Sequence, residues 1–403
     1  MKVNKIFKKI NLIWKLLIGI IAGVFIGGLL PTFATQILVT FSEMFSSFLK
    51  FVIPFMIIGL IIIGISDLGK GAAKLLAITA GFAYTSTVVG GFLAFFVSTN
   101  IFKTFITKET ISYINLEPDD ITPFFKMSIN PMLEVTQSLI FAFSFGLCIS
   151  ILKQKNSNSG SAIYNVFKDF SDCIKLMLSR IIVPFLPLYI CATFAKMTHS
   201  GQVFGIFNIF WKVILIVLFF QLSYVLLLFL LASLVSKKKF FFLIKNQILG
   251  YTTALGTQSS AATISANIEC ASKNKVSKSV REFVIPLCAN INLPGSIITV
   301  TSSVVAVMMI NSMKIDFLMF YEFLFTLSIV MVAAPAVPGG AVMSALPFLS
   351  MVGISSDSNI ASLVIAIYIA QDSLGTAANV SADNAIAILV DTIHKIFNKD
   401  KIT

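Results

Sequence analysis

Long apolar runs follow one another along almost the whole chain, most of them reaching the roughly 20 residues that a helix needs to cross a bilayer. Six come first: about Leu12–Leu30, Ile37–Ile65, Ala72–Phe96, Pro131–Leu152, Phe167–Phe194 and Val203–Leu234. Backbone polar groups in hydrocarbon must be satisfied within their own segment, so runs of this kind are helices. Composition agrees: 57% of the 403 residues are hydrophobic and 12% charged, about half the charged fraction of a soluble domain. Mean hydropathy is +0.93.

The net charge of +12 is not a nucleic-acid signature. The basic residues sit in short clusters between apolar runs, the positive-inside pattern, and no nucleic-acid-binding module is present. Met1–Lys15 carries five lysines and no acid, which places the N-terminus in the cytoplasm. The run Leu17–Leu30 has no clear cleavage site and reads as an uncleaved first helix. Lys70 and Lys74 follow the second run and Lys153 and Lys155 the fourth, while Glu109, Glu117, Asp119 and Asp120 give the stretch Ser98–Asn130 an outward bias. Asn156–Ser161 reads as a flexible linker, and Pro184 and Pro187 predict a kink in the fifth run. Lys237–Lys239 return the chain to the inside, and Lys395, Lys399 and Lys401 do so for the C-terminus. The expected location is the cell inner (plasma) membrane, with both termini cytoplasmic. The cysteines 148, 173, 191, 270 and 288 have no metal-ligand spacing and read as small core residues. His199 and His394 border apolar runs and read as solvated helix-end or loop positions.

The second half differs. The run from Phe240 breaks at Gly250–Ser260, resumes to Cys270 and ends on the same basic side that it entered, at Lys273–Arg281. That is a re-entrant hairpin. A span at about Phe283–Met308 follows, interrupted at Asn290–Ser296. A second broken segment, Phe317–Ile354, has its tip at Ala333–Gly340, and the last helix runs on to the terminal lysines. The order is hairpin, span, hairpin, span, with opposite entry sides: an inverted repeat with interrupted segments in corresponding places, the pattern that marks a transporter binding site. The fold class expected is an all-α polytopic membrane protein with eight transmembrane helices and two re-entrant helical hairpins.

Inside the last run, Asp372, Thr376, Asn379 and Asp383 fall within roughly a 60° sector of one helix face. Carboxylates in a bilayer cost several kcal/mol unless they meet water, a cation or a partner. A seam of small residues with polar cross-links accounts for Ala377, Ala378 and Ala382, but not for two aspartates on one stripe.

At these residues the chain resembles the dicarboxylate/amino acid:cation symporter family, the glutamate-transporter fold. The resemblance spans nearly the whole chain and is strongest over Gly250–Asp391. It rests on Gln258–Thr263, on Asn292-Leu-Pro-Gly-Ser296, on Val337-Pro-Gly339, and on Asp-x-x-x-Thr-x-x-Asn-x-x-x-Asp from Asp372 to Asp383. The resemblance implies an elevator-type carrier and a homotrimer. Residues 1–235 would be mainly scaffold and trimerisation helices, with transport-domain elements near 72–96. Residues 236–403 would form the transport core: hairpin 1 (240–272), helix 7 (280–312), hairpin 2 (317–354) and helix 8 (359–397).

By the same resemblance, Ser259 and Ser260 would meet the substrate's α-carboxylate, where a broken helix end also offers N–H groups. Asp372 would accept its ammonium. Ser296, Thr376 and Asn379 would be further contacts, and Val337, Gly339 and the rest of the second tip the extracellular gate. Asn292, Asn379 and Asp383, with carbonyls near Cys288, would hold one sodium ion, since hard oxygen donors suit a hard cation. Carbonyls near Asn290 and Ala333 would hold a second. Tyr84 and Thr87 match part of a third site.

Two departures matter. Gly375 stands where acidic-substrate members carry an arginine, and Pro294 where they carry an aspartate of the third cation site. The stretch Gln371–Asn379 looks like members that carry serine and threonine. The expected function is sodium-coupled symport into the cell of a small neutral amino acid such as serine, threonine or alanine. The alternative is glutamate, aspartate or another dicarboxylate with Na⁺ or H⁺. No cofactor is expected. An enzyme is disfavoured because no histidine or lysine stands ready as a base beside Ser259 or Ser260. A channel remains the other rival, since re-entrant hairpins and buried carboxylates also suit cation conduction.

Overall fold

The computed structural model describes residues 12–67, 73–107, 121–127, 129, 131–133, 135–155, 160–199, 201, 203–332, 334, 339–356 and 358–399. Among them secondary structure is wholly helical. Val337, Ala333, both chain ends, residues 156–159 of the linker and the acidic residues Glu109, Glu117, Asp119 and Asp120 lie outside the described residues.

The first half holds α1 (Leu12–Leu29), α2 (Thr32–Asp67), α3 (Ala73–Ile101), α4 (Val135–Lys155), α5 (Ser161–Met177), α6 (Val183–His199) and α7 (Val203–Ser236). Pro31 separates α1 from α2. Pro54 inside α2 removes one ladder hydrogen bond, and the segments on its two sides, Thr32–Leu49 and Pro54–Ile63, meet at 43°. Between α5 and α6 the chain widens into a π turn, Leu178–Ile182. It lies just before Pro184 and Pro187, whose missing N–H groups and bulky rings disturb the preceding carbonyls. The expected kink therefore takes the form of a bulge.

The most extensive helix pair among the described residues is α1 with α6. Gly19, Gly23 and Gly27 recur every four residues on α1. A Cβ on them would come to 2.5, 2.4 and 2.2 Å from the carbonyl oxygens of Pro187, Cys191 and Ala195. Only glycine permits so close a backbone approach, as in small-residue membrane helix pairs.

The second half holds α8 (Phe240–Thr257), α9 (Ser260–Lys273), α10 (Lys278–Ile291), α11 (Pro294–Ile310), α12 (Phe317–Met331), α13 (Gly340–Ala345) continued by a 3₁₀ segment Leu346–Val352, and α14 (Asn359–Lys399). Helices α8 and α9 are antiparallel: Asn246 bonds Asn274, Gln247 bonds Asn267, and Thr257 bonds Thr263 nearer the turn. The turn is Gln258, left-handed at φ 53°, followed by Ser259, whose hydroxyl caps α9 by accepting from the Ala262 N–H. The sequence break expected at Asn290–Ser296 narrows to Asn292–Leu293. Pro294 occupies the first turn of α11, where its lack of an N–H costs nothing.

Five described helical stretches are long and apolar enough to cross a membrane, or six with the bent α2 counted as one. Eight spans were expected. The described apolar parts of α1 (Leu17–Leu29) and α4 (Ile140–Lys153) fall short of that length. Burial sorts the helices. In the apolar part of the α10–α11 stretch 94% of the residues are buried and in that of α14 78%, against 33% for α7. The centre is thus α11 against α14, with α3, α7, α8 and α9 around them. A link to the first half runs through Tyr189 on α6, whose oxygen accepts from Ser46 of α2 and Ser362 of α14.

Candidate functional site

Where α10 ends, the non-helical residues Asn292 and Leu293 leave the N-terminal amides of α11 without helical partners. In an enclosed core those donors must find acceptors. Asn379 of α14 supplies one: its Oδ1 accepts from the Gly295 N–H at 2.7 Å and the Ser296 N–H at 3.3 Å, and its Nδ2 donates to Ser296 Oγ at 2.9 Å. The Leu293 N–H donates to Thr87 Oγ1 of α3 at 3.3 Å, so Thr87 holds the break. The two helices touch backbone to backbone. A Cβ at Gly295 would sit 2.3 Å from the Gly375 carbonyl, and one at Gly375 would meet Gly295 O and Thr299 Oγ1 at 3.4 Å. Gln221 of α7 closes this crossing, donating to Thr299 Oγ1 at 2.7 Å and to Gly295 O at 3.2 Å.

One turn beyond Asn379 lies Asp383, 1% exposed, whose Oδ1 accepts from Asn292 Nδ2 at 2.8 Å. Asn292 Oδ1 is buried with no hydrogen-bond partner. A buried acceptor left unmatched costs about 1–3 kcal/mol, and beside a buried carboxylate it is what a small hard cation recruits. The Cys288 carbonyl accepts the Asn292 N–H at 2.9 Å and keeps a second lone pair. These oxygens fit Na⁺. No cluster of three or more His, Cys, Asp or Glu side chains occurs among the described residues, so a cation here leans on amide and carbonyl oxygens around one carboxylate. Asn290 differs: its side chain is exposed and its Nδ2 donates back to Pro286 O at 2.9 Å. Replacing Asp383 with asparagine removes the single formal charge of this cluster. The expected result is at least a tenfold rise in the sodium concentration for half-maximal uptake, read from sodium titrations in proteoliposomes. An unchanged titration would exclude Asp383 as a cation ligand.

Asp372 is 4% exposed. Its Oδ2 accepts from the Gly339 N–H at 2.7 Å. Gly339 is left-handed at φ 74°, so the chain enters α13 in a conformation that glycine adopts freely. Thr376 Oγ1 donates to the Asp372 carbonyl at 2.8 Å. Tyr368, one turn earlier on α14, donates its hydroxyl to Ser296 Oγ at 3.3 Å. Asp372 is thus bonded to Gly339, and Ser296 to Asn379 and Tyr368, with Gly375 reached through its backbone contact with Gly295. Ser260 is buried, and Ser259 caps α9.

Hairpin α8–α9 meets α14 lower down. Asn267 Nδ2 donates to Val380 O at 2.8 Å, and Asn384 Nδ2 donates to Gln247 Oε1 at 2.5 Å. Further along, Asp391 accepts from the Ser277 N–H at 3.2 Å, from the Ser277 hydroxyl and from Lys395 Nζ at 2.6 Å. Sequence reasoning missed Tyr368, Gln221, Gln247, Asn267 and Asn384. An amide inside an apolar run is the signal that could have found the last four.

Comparison with known proteins gives one consistent answer. The family model described as the sodium:dicarboxylate symporter family matches residues 12–393. The serine/threonine transporter SstT of Acinetobacter baumannii (strain AYE) is 25% identical over 400 residues, covering 96% of this chain and 97% of its own. The SstT of Streptococcus agalactiae serotype Ia is 25% identical over 389 residues, 94% and 95% respectively. Excitatory amino acid transporter 1 of Ambystoma tigrinum is 25% identical over 262 residues, 64% of this chain and 47% of its own.

Proposed function

The chain belongs to the sodium:dicarboxylate symporter family, and from that premise we propose that it carries a small neutral amino acid, of the serine, threonine or alanine kind, into the cell together with Na⁺. It is a membrane transporter and not an enzyme. The observation that carries the substrate reading is Gly375. Its bare Cα faces Gly295 O and Thr299 Oγ1, and α14 has no Arg or Lys before Lys395. A second substrate carboxylate brought beside Asp372 would be buried without a counter-charge, a cost of several kcal/mol. The names of the full-length bacterial relatives point the same way.

In this reading Asp372 takes the substrate ammonium by charge-assisted hydrogen bonds. Ser296, Thr376, Asn379 and the hairpin tip at Ser259 and Ser260 take the rest of the molecule. Asn292, Asp383 and the Cys288 carbonyl take one sodium ion, and carbonyls near Asn290 and Ala333 a second. The tip around Val337 and Gly339 is the gate. The proposed architecture is eight spans with two re-entrant hairpins, a scaffold over 1–235, a transport core over 236–403 that moves as an elevator, a homotrimer, and cytoplasmic termini in the inner membrane.

The test is labelled-serine uptake into proteoliposomes under an imposed sodium gradient. Uptake should collapse when choline replaces sodium at fixed pH, and alanine should compete where aspartate does not. Equal uptake in choline would sink sodium coupling in favour of protons. Micromolar aspartate uptake that alanine leaves untouched would establish the dicarboxylate alternative.

A further inference from the structure

The turn from α7 into α8 reads Lys237-Lys238-Lys239, followed at once by Phe240-Phe241-Phe242. Its three lysines do different things. Lys238 turns inward: its Nζ donates to the Asn274 carbonyl at 2.7 Å and to the Lys275 carbonyl at 3.3 Å. Ser233 of α7 donates its hydroxyl to the Lys238 carbonyl at 2.6 Å. One side chain thus pins this turn to the turn between α9 and α10. That brings Lys275 to the start of α8, where its Nζ stands 5.9 Å from the centre of the Phe242 ring.

Lys237, Lys239 and Lys275 are exposed and form no ion pair among the described residues. Glu269 of α9 pairs with Lys273 at 2.7 Å and Asp391 of α14 with Lys395 at 2.6 Å, so neither answers them. Lys239 is also the N-cap of α8 and supplies no side-chain cap. The opening N–H groups of that helix therefore add the positive end of its dipole.

These charges border an apolar surface. Leu234 is 66% and Phe241 83% exposed, and Leu231 and Val235 on the last turns of α7 are exposed as well. In a membrane protein such a surface meets lipid tails. Unpaired ammonium groups at its border fit an anion, and the apolar surface fits an acyl chain. A soluble phosphate satisfies only the first, whereas clusters of basic residues beside membrane helices suit lipids that carry both. We propose that this corner binds an anionic phospholipid, its phosphate held by Lys239 and Lys275 and its chains lying over Phe241 and Leu234. A headgroup there bridges the two turns that Lys238 already joins, and so clamps hairpin α8–α9 to the end of α7.

The experiment follows the melting midpoint of the full-length protein in an uncharged detergent, without substrate, as phosphatidylglycerol, phosphatidylcholine or glycerol 3-phosphate is added. Phosphatidylglycerol should raise the midpoint to a plateau, and the other two should not at equal concentration. Lys239→Gln and Lys275→Gln should each raise the phosphatidylglycerol concentration for half the effect about fivefold, and together about 25-fold. Both side chains are exposed, so these variants should fold as the parent does. Lys168→Gln with Lys175→Gln, two exposed lysines of α5, removes the same charge elsewhere and should leave the titration unchanged. No effect of phosphatidylglycerol, or an equal effect of phosphatidylcholine, overturns the proposal. An equal effect of glycerol 3-phosphate replaces the lipid by a free anion. A parent-like titration in the Lys239 and Lys275 double variant puts the headgroup elsewhere, and an equal shift in the α5 control reduces the effect to net charge.

Discussion

Asp372→Asn should abolish serine uptake in a carrier that still folds and inserts. The substitution keeps the volume of a side chain that is 4% exposed and removes its charge. A primary ammonium brought to that position would be buried with a neutral amide. Breaking a buried charge pair from one side costs about 3–5 kcal/mol, roughly a hundredfold to several thousandfold in affinity. The amide also brings its own donors to a place already served by the Gly339 N–H at 2.7 Å. If the amide nitrogen faces that N–H, two donors meet; if it turns away, the substrate finds a donor where it needs an acceptor. Both orientations disfavour binding. Uptake and serine-dependent thermal stabilisation should vanish together while the melting midpoint without substrate stays near the parent's. Serine affinity unchanged in the variant would show that Asp372 serves structure or cation binding instead.

Gly295→Ala should be nearly as severe, for a steric reason. The added carbon would lie 2.3 Å from the Gly375 carbonyl oxygen, 2.7 Å from Ala378 Cβ and 3.1 Å from Asn379 Oδ1. The nearest of these is backbone, held in the middle of α14, and cannot swing aside as a flexible side chain would. Relief requires α11 and α14 to separate, which stretches the Gly295 N–H bond to Asn379 Oδ1 now at 2.7 Å. Overpacking of this kind costs about 1–3 kcal/mol or more, and it falls where the substrate and cation oxygens are set. The expected outcome is loss of transport with a melting midpoint lower by several degrees. Gly81→Ala and Gly256→Ala are the controls, since a Cβ at either meets nothing within 4 Å. Parent-like uptake by Gly295→Ala would mean that the two helices do not have to approach this closely to work.

Both expectations depend on details that the amino-acid sequence discloses unevenly. The breaks were legible. Pro294 cannot donate and Gly295 and Gly339 lack a Cβ, so an apolar run that contains them is disposed to break there. The Asp372–Asp383 stripe was legible because helical period alone puts those residues on one face. What those residues bond to was not legible. Tyr368 looks like any aromatic residue in an apolar run until the crossing of α11 and α14 brings Ser296 under its hydroxyl. Gln221 is one amide in a long apolar helix, and nothing local says that it points at Thr299. Gly375 could be read as a missing arginine, but its carbonyl's approach to Gly295 depends on the angle between two helices some 80 residues apart in sequence.

The glycine seam between α1 and α6 has a consequence for how the protein is made. Helix α1 leaves the ribosome well before α6, and the carbonyls that its three glycines nest against belong to residues about 170 positions later. At usual rates of synthesis that is a wait of roughly ten to thirty seconds. Throughout it, α1 must wait with its smallest face uncovered. Its insertion and its docking are therefore separate events. A bulky residue at Gly23 would leave the first untouched and be detected only at the second, after half the chain is already in the membrane.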